Sequence, residues 1–289
     1  MKVNSHFVGS TLREYKTDIT WRETMNYAAA INDHNPAYFN DENPQGIVAH
    51  PMNCVAVTWP ILERIWEFIE LDDFPRDILA TQVHYSEHLV LHRLIRAGDR
   101  ITIKGKIAAI LPHRAGTHMI TQLDAFDQNE NPIFTEFIGA LMRGVECDDH
   151  GKGEDNLPTK PEAGANEEVR WESIVTIDPL MPFVYDGCTR IHFPIHTSKQ
   201  FAHQVGLPDI ILQGTATLAL AVKEIINREA GADPNRVQSI ACRFTGMVIP
   251  GSNITFQLLS RSANGDCFFQ VLNSQGQRAI SRGYLKLDS

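Results

Sequence analysis

Two short loops hold the residues of this 289-residue chain best suited to moving protons. One reads Asp33-His34-Asn35-Pro36-Ala37-Tyr38, the other Ile191-His192-Phe193-Pro194-Ile195-His196. Carboxylates and imidazoles are the side chains that most often take and give protons. Asp33 and Asn35 are also residue types that cap the backbone in Asx turns, here ahead of Pro36. His84, His88 and His92 lie four apart, which is metal-ligand spacing on a helix. Their stretch reads as strand, so no zinc site is expected. No Gly-rich phosphate loop, nicotinamide fingerprint or metal cluster is present.

The elements that must position these loops occur twice. In the first half Thr20 and Glu23 form a capping box ahead of Met25–Ala30. The Asp33 loop follows, then an apolar helix over about Met52–Ile69. Strands are expected over Leu79–Ile95, Ile101–Leu111, His118–Phe126 and Ile133–Arg143. In the second half Tyr185–Arg190 leads into the His196 loop, and a helix runs over Gly214–Ala230 with Gly231 as its stop. Strands are expected over Val237–Val248, Asn253–Arg261, Cys267–Leu272 and Ala279–Leu287. Thr215–Val222 is small or apolar on nearly every face, so this helix must be buried. A buried helix followed by antiparallel strands is an α+β layout, the hotdog architecture, and two copies make a double hotdog. The boundaries are 1–146 for the first repeat, 147–170 for an acidic Gly/Pro-rich linker and 171–289 for the second.

Composition bounds the function. With Lys+Arg 26 against Asp+Glu 35 the net charge is −9, which argues against a nucleic-acid binder or an anionic-membrane binder. No apolar run approaches the roughly 20 residues of a membrane span. Seven acidic residues of the linker (Asp148, Asp149, Glu154, Asp155, Glu162, Glu167, Glu168) carry much of that charge, so the repeats can still present basic sites. The five cysteines are dispersed and form no CxxC pair. A reduced, cytoplasmic protein is expected.

Pro194-Ile195-His196, the five residues before Ala202, and Val205–Gly214 resemble the R-specific enoyl-CoA hydratases of the MaoC-like group (hydratase 2). Tyr27–Tyr38 looks like the N-terminal hotdog of double-hotdog MaoC-like dehydratases. The resemblance implies a lyase that adds water to, or removes it from, an α,β-unsaturated CoA thioester. In that family an Asp and a His of the loop handle the water, and a backbone N–H at the helix start polarises the thioester carbonyl. His196 matches the family's His and Gly214 its Gly, whereas Ile191 and Phe193 stand at the Asp and Asn positions. In the first half Asp33 and Asn35 match, Tyr38 replaces the His, and Pro51 follows His50 at the helix start, with no N–H to donate.

Three readings follow. The site belongs to the second half, with His196, Gly214 and a nearby polar group such as Asp186 or His192; or Asp33 and His196 meet across the repeats; or hydration is lost and the protein binds a thioester. His192-Phe193-Pro194 also resembles the His-Phe-Pro of bacterial β-hydroxyacyl carrier-protein dehydratases, whose helix carries a carboxylate; Glu224 is the acidic residue available on this one. A hotdog acyl-CoA thioesterase using Asp33, or a silent acyl-CoA-binding protein or partner subunit, are the competing functions. The resemblance implies an acyl-CoA substrate and no cofactor, and exposed sheet edges leave room for a homodimer. CoA phosphates would meet scattered cations such as Arg93, Arg114 or Arg243.

Overall fold

The computed structural model describes residues 1–162 and 168–288. The first repeat runs β1 (Lys2–Val3), β2 (Tyr15–Asp18), α1 (Trp21–Ala30), α2 (Asn53–Glu63), α3 (Ile65–Phe68), β3 (Gln82–Leu91), β4 (Arg100–His113), β5 (Gly116–Phe126), β6 (Pro132–Arg143) and β7 (Glu146–Cys147). The second runs β8 (Trp171–Thr176), α4 (Met181–Thr189), α5 (Lys199–Gln204), α6 (Gly214–Glu229), β9 (Val237–Phe244), β10 (Asn253–Arg261), β11 (Asp266–Leu272) and β12 (Arg278–Leu287). Ten strands form one antiparallel sheet in the order β2-β4-β5-β6-β3-β9-β12-β11-β10-β8; β1 and β7 pair separately. Read inward from each edge, the order is the same in both repeats. This is the double hotdog that the repeated element order predicts.

A pseudo-two-fold axis relates the halves. β3 pairs with β9 at its centre, with His88 opposite Ala241. Tyr27 and Tyr185, 158 residues apart, place their hydroxyls 2.9 Å from each other where α1 packs on α4. Both rings are fully buried, so each hydroxyl needs a partner, and each supplies the other's.

The central helices fill the curve of the sheet. In α6, Thr215–Val222, Ile225 and Ile226 are all buried. Each such Leu, Ile or Val contributes about 1.5–3 kcal/mol by leaving water, which outweighs the weak helix propensity of Thr215 and Thr217. The helix expected over Met52–Ile69 is shorter. Pro60 removes one helical hydrogen bond, the chain leaves helical geometry at Arg64, and α3 turns Ile65 and Phe68 into the core. The strand expected from Leu79 starts at Gln82, because Ile78 and Leu79 are buried by a 3-10 turn over Arg76–Thr81. The strand expected to reach Val248 stops at Phe244, where Thr245 and Gly246 both turn their N–H groups to Ala279 O. Residues 185–189 lie inside α4 and Arg190 caps it; the sequence reading missed that helix, as it missed edge strands β2 and β8.

The acidic segment after β7 is attached to the sheet as far as Lys160. Lys152 exchanges two backbone hydrogen bonds with Ile110, and Asn156 Nδ2 donates to Ala108 O at 3.0 Å. Leu157 packs on a small outer-face cluster of Ala108, Ala109, Ile120 and Phe137. Lys160 Nζ then reaches Arg282 O, in the second repeat, at 2.6 Å.

Candidate active site

His196 ends a short 3-10 turn that Pro194 starts. Its Nδ1 lies 2.8 Å from Ile211 O. A carbonyl only accepts, so Nδ1 carries the proton and Nε2 keeps its lone pair. Nε2 makes no hydrogen bond or ion pair among the described residues. Burial pushes the imidazole pKa down to about 4, against a small opposing effect of the Ile211 bond. The ring is therefore neutral at pH 7, the form that can accept a proton.

Three residues after Ile211 the chain enters α6 at Gly214. The first N–H groups of a helix have no internal acceptor and stand at the positive end of its dipole. A Cβ on Gly214 would lie 2.9 Å from the Phe244 ring, so the backbone comes closer to β9 than any other residue allows. Two bonds brace this helix end. Tyr185 OH donates to Thr215 Oγ1 at 3.2 Å, and Gln213 Nε2 donates to Pro182 O at 3.0 Å. The carbonyl that holds the His196 ring thus lies three residues before the start of α6, and neither Nε2 nor the Gly214 N–H has a hydrogen-bond partner among the described residues.

The other predicted residues take different positions. Asp33 Oδ1 accepts from Asn35 N at 3.1 Å, and Asn35 Oδ1 accepts from Ala37 N at 3.0 Å. Asn35 Nδ2 donates to Ala232 O at 2.7 Å, and Lys223 Nζ reaches Ile31 O and Asn32 O. Burial raises the Asp33 pKa, against the Asn35 bond and the Lys223 charge. This loop packs on the C-terminal half of α6, whereas His196 sits at its N-terminal end. A 16-residue helix is about 24 Å long. Asp33 and His196 share no hydrogen bond or ion pair among the described residues, and the loop's contacts begin nine residues along α6, at Lys223.

Asp186 lies in α4, its pKa raised by burial and lowered by the charge of His192; its carboxylate makes no hydrogen bond or ion pair among the described residues. His192 has a carboxylate that the sequence did not reveal: Nε2 lies 2.8 Å from Glu63 Oε1, at the end of α2 in the other repeat. Its Nδ1 faces Arg190 O at 3.1 Å, and Trp59 Nε1 donates to its carbonyl at 3.3 Å. With acceptors at both nitrogens, its ring aims no lone pair at open space. Glu224, the carboxylate considered for that role, pairs with Arg228 at 3.3 Å.

The matching end of α2 is a different environment. His50 Nδ1 accepts from Met52 N at 3.2 Å, and burial pushes its pKa down to about 3. Tyr38, fully buried, packs its ring 5.6 Å from His50. Pro51 offers no N–H. His84 faces the sheet interior, His88 bonds Ser239 at 3.0 Å, and no three metal-ligand side chains gather among the described residues. Of the cations considered for CoA, Arg93 is held by Asp99 at 2.7 Å, while Arg114 and Arg243 form no ion pair among the described residues. No helix among those residues is long and apolar enough to cross a membrane.

Comparison with known proteins agrees with this architecture. Residues 162–275 match the family model for a MaoC like domain, and residues 6–136 that for a FAS1-like dehydratase domain region. The chain is 23% identical to 3-hydroxyacyl-thioester dehydratase Y of Mycobacterium tuberculosis, over 96% of this chain and 95% of that protein. It is 22% identical to peroxisomal multifunctional enzyme type 2 of Drosophila melanogaster, over 72% of this chain but only 34% of the length of that enzyme. The fold superposes on a MaoC-like dehydratase from Phytophthora capsici with a TM-score of 0.84 at 20% identity, covering 98% of both chains. The matched models fall one on each repeat, so the chain carries a FAS1-like dehydratase domain region followed by a MaoC like domain, in the fold of the MaoC-like dehydratases.

Proposed function

We propose that this protein is a lyase that adds water reversibly to an enoyl-CoA thioester, or removes it from a 3-hydroxyacyl-CoA, at the N-terminal end of α6. The carrying observation is a neutral His196, bonded through Nδ1 to Ile211 O three residues before α6, with neither its Nε2 nor the Gly214 N–H partnered among the described residues. His196 Nε2 takes a proton from water as its oxygen bonds to C3. The electron pair of the double bond moves to the thioester oxygen, held by Gly214 N–H. The enolate then takes the proton from His196 at C2, which completes addition of one water. Only proton transfer and charge stabilisation are needed, so the reading includes no cofactor. A cytoplasmic location and a homodimer complete it; the open outer edges of β2 and β8 leave surfaces for self-association.

The test follows loss of enoyl conjugation across chain lengths, wild type against His196→Ala. Removing an acid/base group lowers kcat about 10²–10⁴-fold. Equal rates would remove His196 from the mechanism. A second reading, a thioester-binding subunit, is favoured by one observation: no carboxylate among the described residues is hydrogen-bonded to His196. Acyl-CoA binding without turnover in the wild type would establish it. The thioesterase reading loses its nominal carboxylate, because Asp33 is tied into its own loop away from Gly214.

A further inference from the structure

Tyr38 and Pro51 leave the first repeat without the imidazole and the helix N–H of the second. The first repeat nevertheless touches the segment that leads into the His196 turn at three points. Trp59 and Glu63 lie one turn apart on one face of α2, and Glu63 is its last residue. Trp59 Nε1 donates to His192 O at 3.3 Å, and Glu63 Oε1 lies 2.8 Å from His192 Nε2. Glu23 of α1 closes its capping box with Oε2 and turns Oε1 to Arg190 Nη1 at 3.3 Å. Arg190 ends α4 at a φ of 60°, left-handed backbone that glycine adopts at less cost. The residue at that point is one whose side chain reaches the other repeat.

Both nitrogens of the His192 ring face acceptors, Glu63 Oε1 and, at 3.1 Å, Arg190 O. Only the imidazolium donates both bonds. Glu63 stands at the negative pole of α2, which disfavours a carboxylate, and an imidazolium beside it offsets that. Arg64, the next residue, is turned to Glu67 instead. Asp186 of α4 is the other carboxylate in the field of His192. The chain of contacts continues to the candidate acid/base. Trp59 holds the carbonyl of His192, and so the peptide that joins it to Phe193. Phe193 O in turn accepts from His196 N at 3.0 Å. Beyond that bond the supports come from the second repeat, with Ser198 N on Pro194 O and the His196 ring on Ile211 O, both at 2.8 Å. The arrangement recurs across the pseudo-two-fold axis. Lys223 of α6 donates to Ile31 O and Asn32 O, just ahead of Asp33, at 3.3 and 2.8 Å. Each central helix thus sends a side-chain donor to backbone carbonyls at the loop of the other repeat.

We propose that Trp59 and Glu63 of the first repeat are positioning residues for the reaction of the second: they hold the His192–Phe193 peptide, and through it the turn that carries His196. This assignment rests on the hydratase reading of His196. It gives the first repeat a part in catalysis without contact with the substrate. His192 then acts through its bond to Glu63, and not on the reacting atoms.

Two variants of the full chain test this. Trp59→Phe keeps an aromatic ring and removes the N–H, and Glu63→Gln keeps the size and removes the charge. Both sites are partly exposed, so the urea midpoint should hardly move. We expect each variant to lower kcat for enoyl-CoA hydration about three- to tenfold, the effect of one lost hydrogen bond. KM should stay nearly constant, because no group that binds substrate is removed. Amide exchange followed by mass spectrometry should quicken over residues 193–197 and stay unchanged in α6. His192→Gln should match Glu63→Gln, and the double variant should lose no more than either alone. A much larger loss in His192→Gln would make His192 a group that touches substrate and overturn its positioning role. An unchanged kcat in both variants, a rise in KM alone, or unchanged exchange over 193–197 would overturn the assignment. A wild type that turns over no enoyl-CoA would remove the hydratase reading. Quickened exchange in the variants would then leave the hold of one repeat on the other standing, and unchanged exchange would remove that as well.

Discussion

Gly214 is the position where a single methyl group decides most. Alanine is the better helix former by up to about 1 kcal/mol. Its Cβ would meet the Phe244 ring at 2.9 Å, and overpacking costs about 1–3 kcal/mol. The clash wins, and the Phe244 ring must move, with His84 packed edge-on against it. We expect Gly214→Ala to lower kcat/KM by at least about tenfold and to shift the urea midpoint down, measured by steady-state kinetics and equilibrium unfolding. His196 and Gly214 were readable as candidates in the sequence because they lie 18 positions apart on one chain segment. Glu63 was not, because it reaches His192 from the other repeat through tertiary packing alone.

At the scale of elements, α1 shows how local signals set a long-range contact. Thr20 Oγ1 accepts from Glu23 N at 3.2 Å, and Glu23 Oε2 accepts from Thr20 N at 2.9 Å, the capping box read from the sequence. The helix so started carries Tyr27 to the pseudo-two-fold axis. Thr20→Ala should cost about 1 kcal/mol by urea unfolding, with Thr20→Ser restoring most of it. An unchanged midpoint would show that packing on α4 alone holds α1. Strand and helix order was readable because apolar periodicity repeats in both halves. The break in α2 and the end of β9 were not. The apolar patterns continue past both, and burial of Ile65 and Phe68 and the turn to Ala279 O decide where the elements stop.

The whole molecule buries two carboxyls that the proposed chemistry does not use. Glu87 on β3 and Glu136 on β6 are almost fully buried on the inner face, and His84 Nε2 lies 3.2 Å from Glu87 Oε2. Burial drives both carboxyl pKa values well up, and the charge of Glu87 raises that of Glu136 further. The folded state therefore binds protons that the unfolded chain releases above about pH 4.5. Their contribution to stability is full below that pH and falls as pH rises. We expect the wild-type Tm to drop between pH 5 and pH 8, and the drop to shrink in Glu136→Gln, which keeps shape and removes the titration. Parallel Tm–pH curves for the two proteins would place the pH dependence elsewhere.

The sequence by itself determined the duplication, the α+β class and the buried second helix. Each follows from periodicity or spacing within one stretch of chain. Tertiary structure alone decided that the Asp33 loop meets Lys223 and Ala232 of the other repeat and that Glu63 meets His192. These depend on how two copies of one fold dock about a pseudo-two-fold axis, and no local pattern records that docking.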